Sequence, residues 1–462
     1  MAMALRTEID LPTLRISLDL ATSAVVFSTV RGRDGLREAG RCPVEDLGLT
    51  RSVFDRVEDA VLDVPAPLVG RLTETVTALG ASPVRPYNAL WLEIPAPRGL
   101  LPVVPWERLL APLGRPLYRL PFHPVRPRRP AGGLAVALVV STPSVPGAVA
   151  RTARAVVEQY RHHVPQVVVH VFTDSASCPA VQETLVRHGA PGEVVVHVPG
   201  DTHGSAHATG SELVTNPWLR WLLDAADGDR LDIVHIVAPG CLEDGRGSLA
   251  LPDPSDPAGA EAGLVESVEI VELLTRVGAI GLTLATPGTV HGAAGLRELA
   301  DDVARLRPGL TAVHDLSQDP DAVQLAAALR TVLSPSDEAA VLPAMTAWLN
   351  PLFLDPVPEP GATGEDSAPT WAGRMRLLDD GGSAFLPETT RLAAVEQTDA
   401  WVASAVRSIE QLQMAWLPAT ADRPADAAAV EALSRVARLL DEHLPPTPAG
   451  GSTEQSSAGG SR

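Results

Sequence analysis

An imidazole and a thiol stand six residues apart in the segment DIVHIVAPGC, residues 232–241. A thiol becomes an effective nucleophile when a neighbouring imidazole or a helix N-terminus favours its thiolate form. His235 and Cys241 could therefore be the base and the nucleophile of a cysteine hydrolase, and the later His291 or His314 could replace His235 as the base. The alternative interpretation of Cys241 is a small loop residue with no catalytic function.

Strands and helices alternate along most of the chain and would have to position these side chains. Apolar runs such as residues 133–142 and 279–288 are typical of strands that are covered on both faces. Between such runs, apolar residues recur every three or four positions, as they do in amphipathic helices. Repeated strand–helix–strand units predict an α/β fold, a three-layer sandwich around a mostly parallel central sheet. The C-terminal ends of its strands form the edge at which α/β proteins build their sites.

Composition divides the chain into five regions. Residues 1–80 predict a β-hairpin followed by helices, an N-terminal β/α extension whose independence is left open. Residues 81–352 hold the alternating strands and helices. A segment rich in Pro, Gly and acidic residues predicts a linker at 353–387, and low-complexity sequence predicts a disordered tail at 445–462. Residues 388–444 carry apolar residues at helical spacing and predict C-terminal helices.

Charge and residue spacing argue against several classes of function. The net charge of −19 disfavours binding to nucleic acid or to an anionic membrane, and the basic cluster at 123–130 is Pro-rich, as in a surface connector. The three cysteines lack CxxC spacing, so we expect neither a zinc knuckle nor a disulfide framework. His203 and His207 lie four apart, but the small residues around them favour a loop over a metal site. We therefore expect no cofactor, no metal and a cytoplasmic protein with reduced thiols.

Four segments, in this order, resemble the CHAT domain, a bacterial branch of the caspase-like clan. They are a strand, a turn and a Pro-Trp-Glu helix start at 90–110; the strand LDIVHIVAPG at 231–240; the helix and strand VELLTRVGAIGLTLATPG at 271–288; and a strand, an Asp-containing loop and a helix at 308–329. The resemblance covers about residues 75–340. It implies a caspase-like three-layer fold and, in active members, cysteine endopeptidase activity.

The resemblance also implies where the catalytic dyad of such a peptidase would lie. In active members the base is the second His of a His-x-x-Gly-His-Gly motif, and the nucleophile is a Cys that closes the next strand. In this chain the first His is His235, the base position is Pro239 and the nucleophile position is Thr286. Pro has no titratable group, and a Thr hydroxyl without a base is a poor nucleophile. The dyad is therefore predicted to be degenerate, although the surrounding strands persist.

Three functions follow from these observations. The missing dyad favours a catalytically degenerate CHAT-like protein that binds a protein partner, as a scaffold or regulatory component of a bacterial conflict or signalling system; the resemblance alone implies that system. The second is an active CHAT-type cysteine peptidase with a relocated dyad, such as His235 or His291 with Cys241. The third is a small-ligand-binding α/β module whose cleft lies at the strand ends. The sequence leaves the identity of the partner and the oligomeric state open.

Overall fold

A computed structural model describes most of the chain up to residue 351. The described residues are 5–8, 11–19, 22–30, 36–49, 62–95, 98–121, 133–186, 193–199, 213–226, 230–243, 245–255, 262–288, 293–333, 336–351 and 376–379. The predicted C-terminal helices at 388–444, the tail at 445–462, the basic cluster at 123–130 and the loop with His203 and His207 lie outside them. Within the described ranges, no helix combines the length and apolar character that a membrane span requires.

Short strands and helices alternate along the described chain. The strands are β1 Leu5–Glu8, β2 Thr13–Asp19, β3 Ala24–Val30, β4 Leu36–Pro43, β5 Leu90–Glu93, β6 Leu117–Arg119, β7 Ala135–Val140, β8 Val168–Thr173, β9 Val194–His197, β10 Ile233–Val237, β11 Gly240–Glu243, β12 Arg246–Leu251, β13 Gly263–Val265, β14 Gly281–Thr286, β15 Leu310–Asp315, β16 Met345–Trp348 and β17 Arg376–Asp379. The helices are α1 Ala66–Ala78, α2 Trp106–Leu109, α3 Pro146–His163, α4 Cys178–Val186, α5 Pro217–Ala226, α6 Ser267–Arg276, α7 Ala293–Leu306 and α8 Val323–Leu333.

Twelve strands form one central sheet in the order β4-β3-β2-β5-β6-β16-β15-β14-β10-β7-β8-β9. Pairing is parallel except between β2 and β3, β3 and β4, and β15 and β16. The predicted α/β fold with a large, mostly parallel central sheet is confirmed. A second sheet, β11-β12-β13, is antiparallel, and β1 pairs antiparallel with β17, which lies inside the predicted linker.

Helices cover both faces of the central strands, which explains why those strands are apolar without alternation. In β10, Val234 and Ile236 pack into a cluster with residues of α5, α6 and α7. Ile233 and Val237 point the other way, into a cluster with residues of α3, α4 and α8. Consecutive residues of one strand therefore belong to two separate cores, and the face on which a side chain lies decides what it can contact.

The N-terminal strands extend this sheet. β2 pairs in parallel with β5, so the hairpin of β2 and β3, together with β4, continues the central sheet at one margin. Helix α1 covers them with Leu68, Leu72 and Val76, spaced four apart on its buried face. The residue after its C-cap, Gly80, has φ 70°, as expected of a glycine that ends a helix. The predicted domain boundary at residue 80 stays a prediction.

A buried ion pair holds the middle of the sheet together. The Arg119 guanidinium in β6 donates to both carboxylate oxygens of Glu107 in α2, at 2.8 and 3.0 Å, and to the carbonyls of Pro102 and Val104. The Thr346 hydroxyl of β16 donates to the same carboxylate at 3.0 Å. Every charged oxygen and most guanidinium protons thus have partners, which is the condition under which a buried pair is tolerated.

The structure differs from the sequence-based expectations in several short elements. Strands β4, β6 and β16 were not predicted. The acidic segment 242–257 contains β12, whose Leu249 and Leu251 are buried. The helix predicted to start at the Pro-Trp-Glu segment is a single α-turn followed by a 3₁₀ turn at Ala111–Leu113, which ends at Gly114 with φ 69°. The spacing of apolar residues in this segment fits two short turns as well as it fits one helix.

Replacing Glu107 by Gln should destabilise the protein strongly, because the Arg119 charge would be left buried without its counter-charge. We expect the free energy of unfolding to fall by about 3–5 kcal/mol. The double variant Glu107→Gln/Arg119→Met should lose less than the single variant. Glu38→Gln, which breaks the exposed pair with Arg41, is the matched control and should change little. Urea denaturation measures all four proteins, and equal losses at Glu38 and Glu107 would contradict the assignment.

Candidate functional site

The two positions that the resemblance implies for a catalytic dyad lie close together at the C-terminal edge of the central sheet. Strands β10 and β14 are parallel neighbours with Val237 opposite Ala285, and the Ala238 N–H donates to the Ala285 carbonyl at 3.0 Å. Thr286, the last residue of β14, lies opposite Ala238 in this register, and Pro239 comes one residue later, beyond the end of β10. The two positions that the resemblance implies for a base and a nucleophile are therefore near neighbours at this edge, and they hold Pro and Thr.

The Thr286 hydroxyl is held by a carboxylate. It donates to Asp315 Oδ1 at 3.1 Å, and its side chain is buried. The same oxygen accepts from the backbone N–H and the hydroxyl of Ser317, at 3.0 and 2.5 Å. Activation of a Thr hydroxyl needs a stronger base, such as an amine or an imidazole. The hydrogen bond of Thr286 therefore links β14 to β15, and no imidazole of the described residues takes part in it.

His235 is a core residue in the middle of β10. It is completely buried, and its Nδ1 lies 3.1 Å from Tyr160 Oη on α3, with the two rings edge to face. Burial, and next the nearby His314, lower the pKa of His235 to about 3. The imidazole is therefore neutral at neutral pH. Its Nε2 has no hydrogen-bond partner among the described residues.

His314 is also buried and serves the start of α8. Its Nε2–H donates to Asp319 Oδ2 at 3.0 Å, and the two carboxylate oxygens accept the N–H groups of Val323 and Gln324. Burial alone would raise the pKa of Asp319, but these hydrogen bonds and the His314 charge outweigh it and hold the pKa below its ordinary value. Asp319 thus caps the N-terminus of α8 and fixes the His314 ring through the same carboxylate.

Cys241 lies on the opposite face of the sheet from His235. Its backbone in β11 packs so closely on Gly295 of α7 that a Cβ at Gly295 would overlap the Cys241 carbonyl. Helix α7 belongs to the core on the other side of the sheet from α3. The structure therefore does not bring His235 and Cys241 together, and the Cys241 thiol makes no hydrogen bond to a described imidazole. His291 lies outside the described residues.

The other two thiols are buried. Cys42 lies in the core of the N-terminal strands, where burial, and next Asp46, raise its pKa to about 11. Cys178 begins α4, close to the C-terminal end of β8, and its side chain is 3% exposed. It lies at the edge of interest, but β8 is separated from β10 by β7. The sequence alone assigns no function to Cys178. Its position at the start of a helix that follows an apolar strand was the one signal that placed it at this edge.

No described group of three or more His, Cys, Asp or Glu side chains is placed to hold a metal ion.

An apolar cavity of about 50 Å³ lies between the sheet and α8. It borders the first residues of β10, β14 and β15, Ile233, Gly281 and Leu310, and so lies toward the N-terminal ends of these strands. A ligand cleft was expected at their C-terminal ends, so this cavity does not correspond to it.

Stability should fall between neutral and acidic pH partly because of His235. A buried imidazole whose folded pKa is about 3 stays neutral in the native state, whereas the unfolded chain takes up a proton below about pH 6.5. The contribution of His235 to the free energy of unfolding is therefore complete above about pH 6.5 and is lost as the pH decreases toward 3. Between pH 7 and pH 5 this amounts to about 2 kcal/mol.

His235→Gln should lose that part of the pH dependence, whatever its stability at pH 7. Tyr160→Phe is the matched control, since it removes the hydroxyl at 3.1 Å and keeps the titrating imidazole. Free energies of unfolding from urea titrations at the two pH values check this. An unchanged difference in His235→Gln would show that His235 is accessible to protons in the native state.

Comparison with known proteins adds no family. No protein-family model matches this chain, and no curated protein matches its sequence. The resemblance to CHAT domains therefore stays a prediction from the sequence. The geometry at Pro239, Thr286 and Cys241 is the independent basis for a functional argument.

Proposed function

We propose that this protein is a caspase-like protein of CHAT type without peptidase chemistry, and that it acts by binding a protein partner. The resemblance implies a regulatory or scaffold role in a bacterial conflict or signalling system. The observation that carries the proposal is that Pro239 and Thr286, the positions that the resemblance implies for a base and a nucleophile, lie within one residue of each other in register at the ends of neighbouring parallel strands. Strand ends arranged in this way would suit a catalytic dyad, and neither Pro nor an unassisted Thr can do the chemistry of one.

The Pro-Trp-Glu segment supports the same family. Its Glu107 is the partner of the buried Arg119, and its Trp106 is buried against Phe27 with the rings edge to face. These residues tie the helix start after β5 to the central sheet. A motif with this structural function would persist in a relative that had lost its catalytic residues.

The two alternatives have less support from the geometry. A relocated dyad of His235 and Cys241 would need the two side chains on one face of the sheet, and they belong to opposite faces. The version with His291, which lies outside the described residues, stays a prediction. A small-ligand module is favoured by one observation, the apolar cavity beside α8. That cavity has no charged lining residue and lies away from Pro239 and Thr286, so it would be a separate site.

Restoring the dyad tests the proposed family directly. In a Cys241→Ser background, Thr286→Cys combined with Pro239→His should give a thiol whose apparent pKa lies below the ~8.5 of a free thiol. Thr286→Cys alone should not, since the neighbouring Asp315 carboxylate disfavours a thiolate. The rate of alkylation by iodoacetamide as a function of pH measures both variants.

The protein with Thr286, in the same Cys241→Ser background, is the control for the buried Cys42 and Cys178. A cooperative thermal unfolding transition of each variant would confirm that the variant is folded. Identical alkylation profiles with and without Pro239→His would show that the two positions are not arranged as a dyad, and the caspase-like proposal would fail.

A further inference from the structure

Two histidines converge at the margin of the central sheet farthest from the N-terminal strands. His170 lies in β8 and His197 in β9, and His170 Nδ1 is 3.1 Å from His197 Nε2. In the parallel register His170 is opposite Val195 and Phe172 is opposite His197, so the two histidines are diagonal neighbours on one face. Both side chains are partly exposed. Their ring nitrogens are therefore close to each other and within reach of solvent.

Aromatic packing fixes the orientation of this pair. The His197 ring stacks on Phe172 with 4.4 Å between centroids, and Phe172 in turn meets Trp221 of α5 edge to face. The His170 and His197 rings are also nearly parallel. Because the β8 backbone and α5 hold Phe172, the His197 imidazole has little freedom to turn away from His170. The pair is thus pre-oriented, which lowers the entropic cost of binding a ligand between the two nitrogens.

The geometry points to a transition-metal site in which His170 Nδ1 and His197 Nε2 bind one Zn²⁺, Ni²⁺ or Cu²⁺ ion. Imidazole nitrogens bind Zn²⁺ at about 2.0–2.1 Å, which separates two nitrogens of a tetrahedral site by roughly 3.3 Å. The observed 3.1 Å is close to that value. Imidazole suits these borderline metals, whereas Mg²⁺ and Ca²⁺ need oxygen ligands.

The open coordination positions agree with this assignment. No third His, Cys, Asp or Glu joins the two among the described residues. Half of a tetrahedral shell would therefore be filled by water or by a ligand from solution.

A hydrogen bond between two neutral imidazoles would give the same distance, so the test is binding of the metal itself. Untagged protein is titrated with ZnCl2 or NiCl2, and thermal unfolding is followed, with MgCl2 as the control salt. A metal that binds the native state preferentially raises Tm with its concentration. We expect such a rise with Zn²⁺ and Ni²⁺, reversed by EDTA, and none with Mg²⁺.

Variants locate the site. His170→Asn and His197→Asn should each weaken metal binding at least ~10-fold, since loss of even an outer-shell partner commonly costs that much. His163→Asn, in the exposed His162–His163 pair at the end of α3, should leave the affinity unchanged. No rise in Tm with either metal, or a rise that persists in both His170→Asn and His197→Asn, would overturn the assignment.

Discussion

The buried ion pair of Arg119 with Glu107 is the interaction on which the arrangement of the sheet depends. It joins β6 to the helix start after β5, and through Thr346 it reaches β16, the strand that connects the N-terminal part of the sheet to β15. The Arg119 guanidinium also lies over the Trp348 ring at 4.9 Å. Trp348 donates its indole N–H to Asp301 of α7, which pairs with Arg98. Strand β6 has only three residues and therefore few backbone hydrogen bonds. The contacts of the Arg119 charge help to hold it in the sheet.

That arrangement fixes the edge at which chemistry would take place. Because β10, β14 and β15 are parallel and in register, Pro239, Thr286 and Asp315 meet at one end of the sheet. Alternation along the strands then separates the remaining reactive groups. His235 points into the core that α3 covers. Cys241 lies in the β11–β12 hairpin, which packs against α7 on the other face. The same alternation that assigns consecutive residues of β10 to the cores on its two faces keeps the His235 imidazole and the Cys241 thiol apart.

The sequence was sufficient for the elements whose signals are local. Apolar runs and helical spacing predicted β7, β8, β10, β14 and β15 and the helices between them, because burial on both faces leaves a continuous pattern. Strands β6 and β16 were missed because three or four residues carry no periodicity, and their pairing is non-local. The contacts of His235 could not be predicted either. Alternation tells that a residue changes face at each step, but only the tertiary structure shows that Tyr160 and α3 cover that face. His170 and His197 were likewise unremarkable in sequence, since 27 positions separate them and only the parallel pairing of β8 and β9 joins them.

The proposal that this protein lacks peptidase chemistry would fail if Cys241 were an activated thiol, so the reactivity of Cys241 is the measurement to make first. The wild type and Cys241→Ser would be labelled with iodoacetamide from about pH 5 to pH 9, and the difference in rate between them gives the labelling of Cys241 alone. We expect Cys241 to be labelled no faster at about pH 5–6 than a cysteine-containing peptide measured in parallel, because the structure brings no described imidazole to its thiol. Faster labelling at that pH would show that an imidazole or a helix N-terminus favours the thiolate, and would contradict the proposal of a protein without peptidase chemistry.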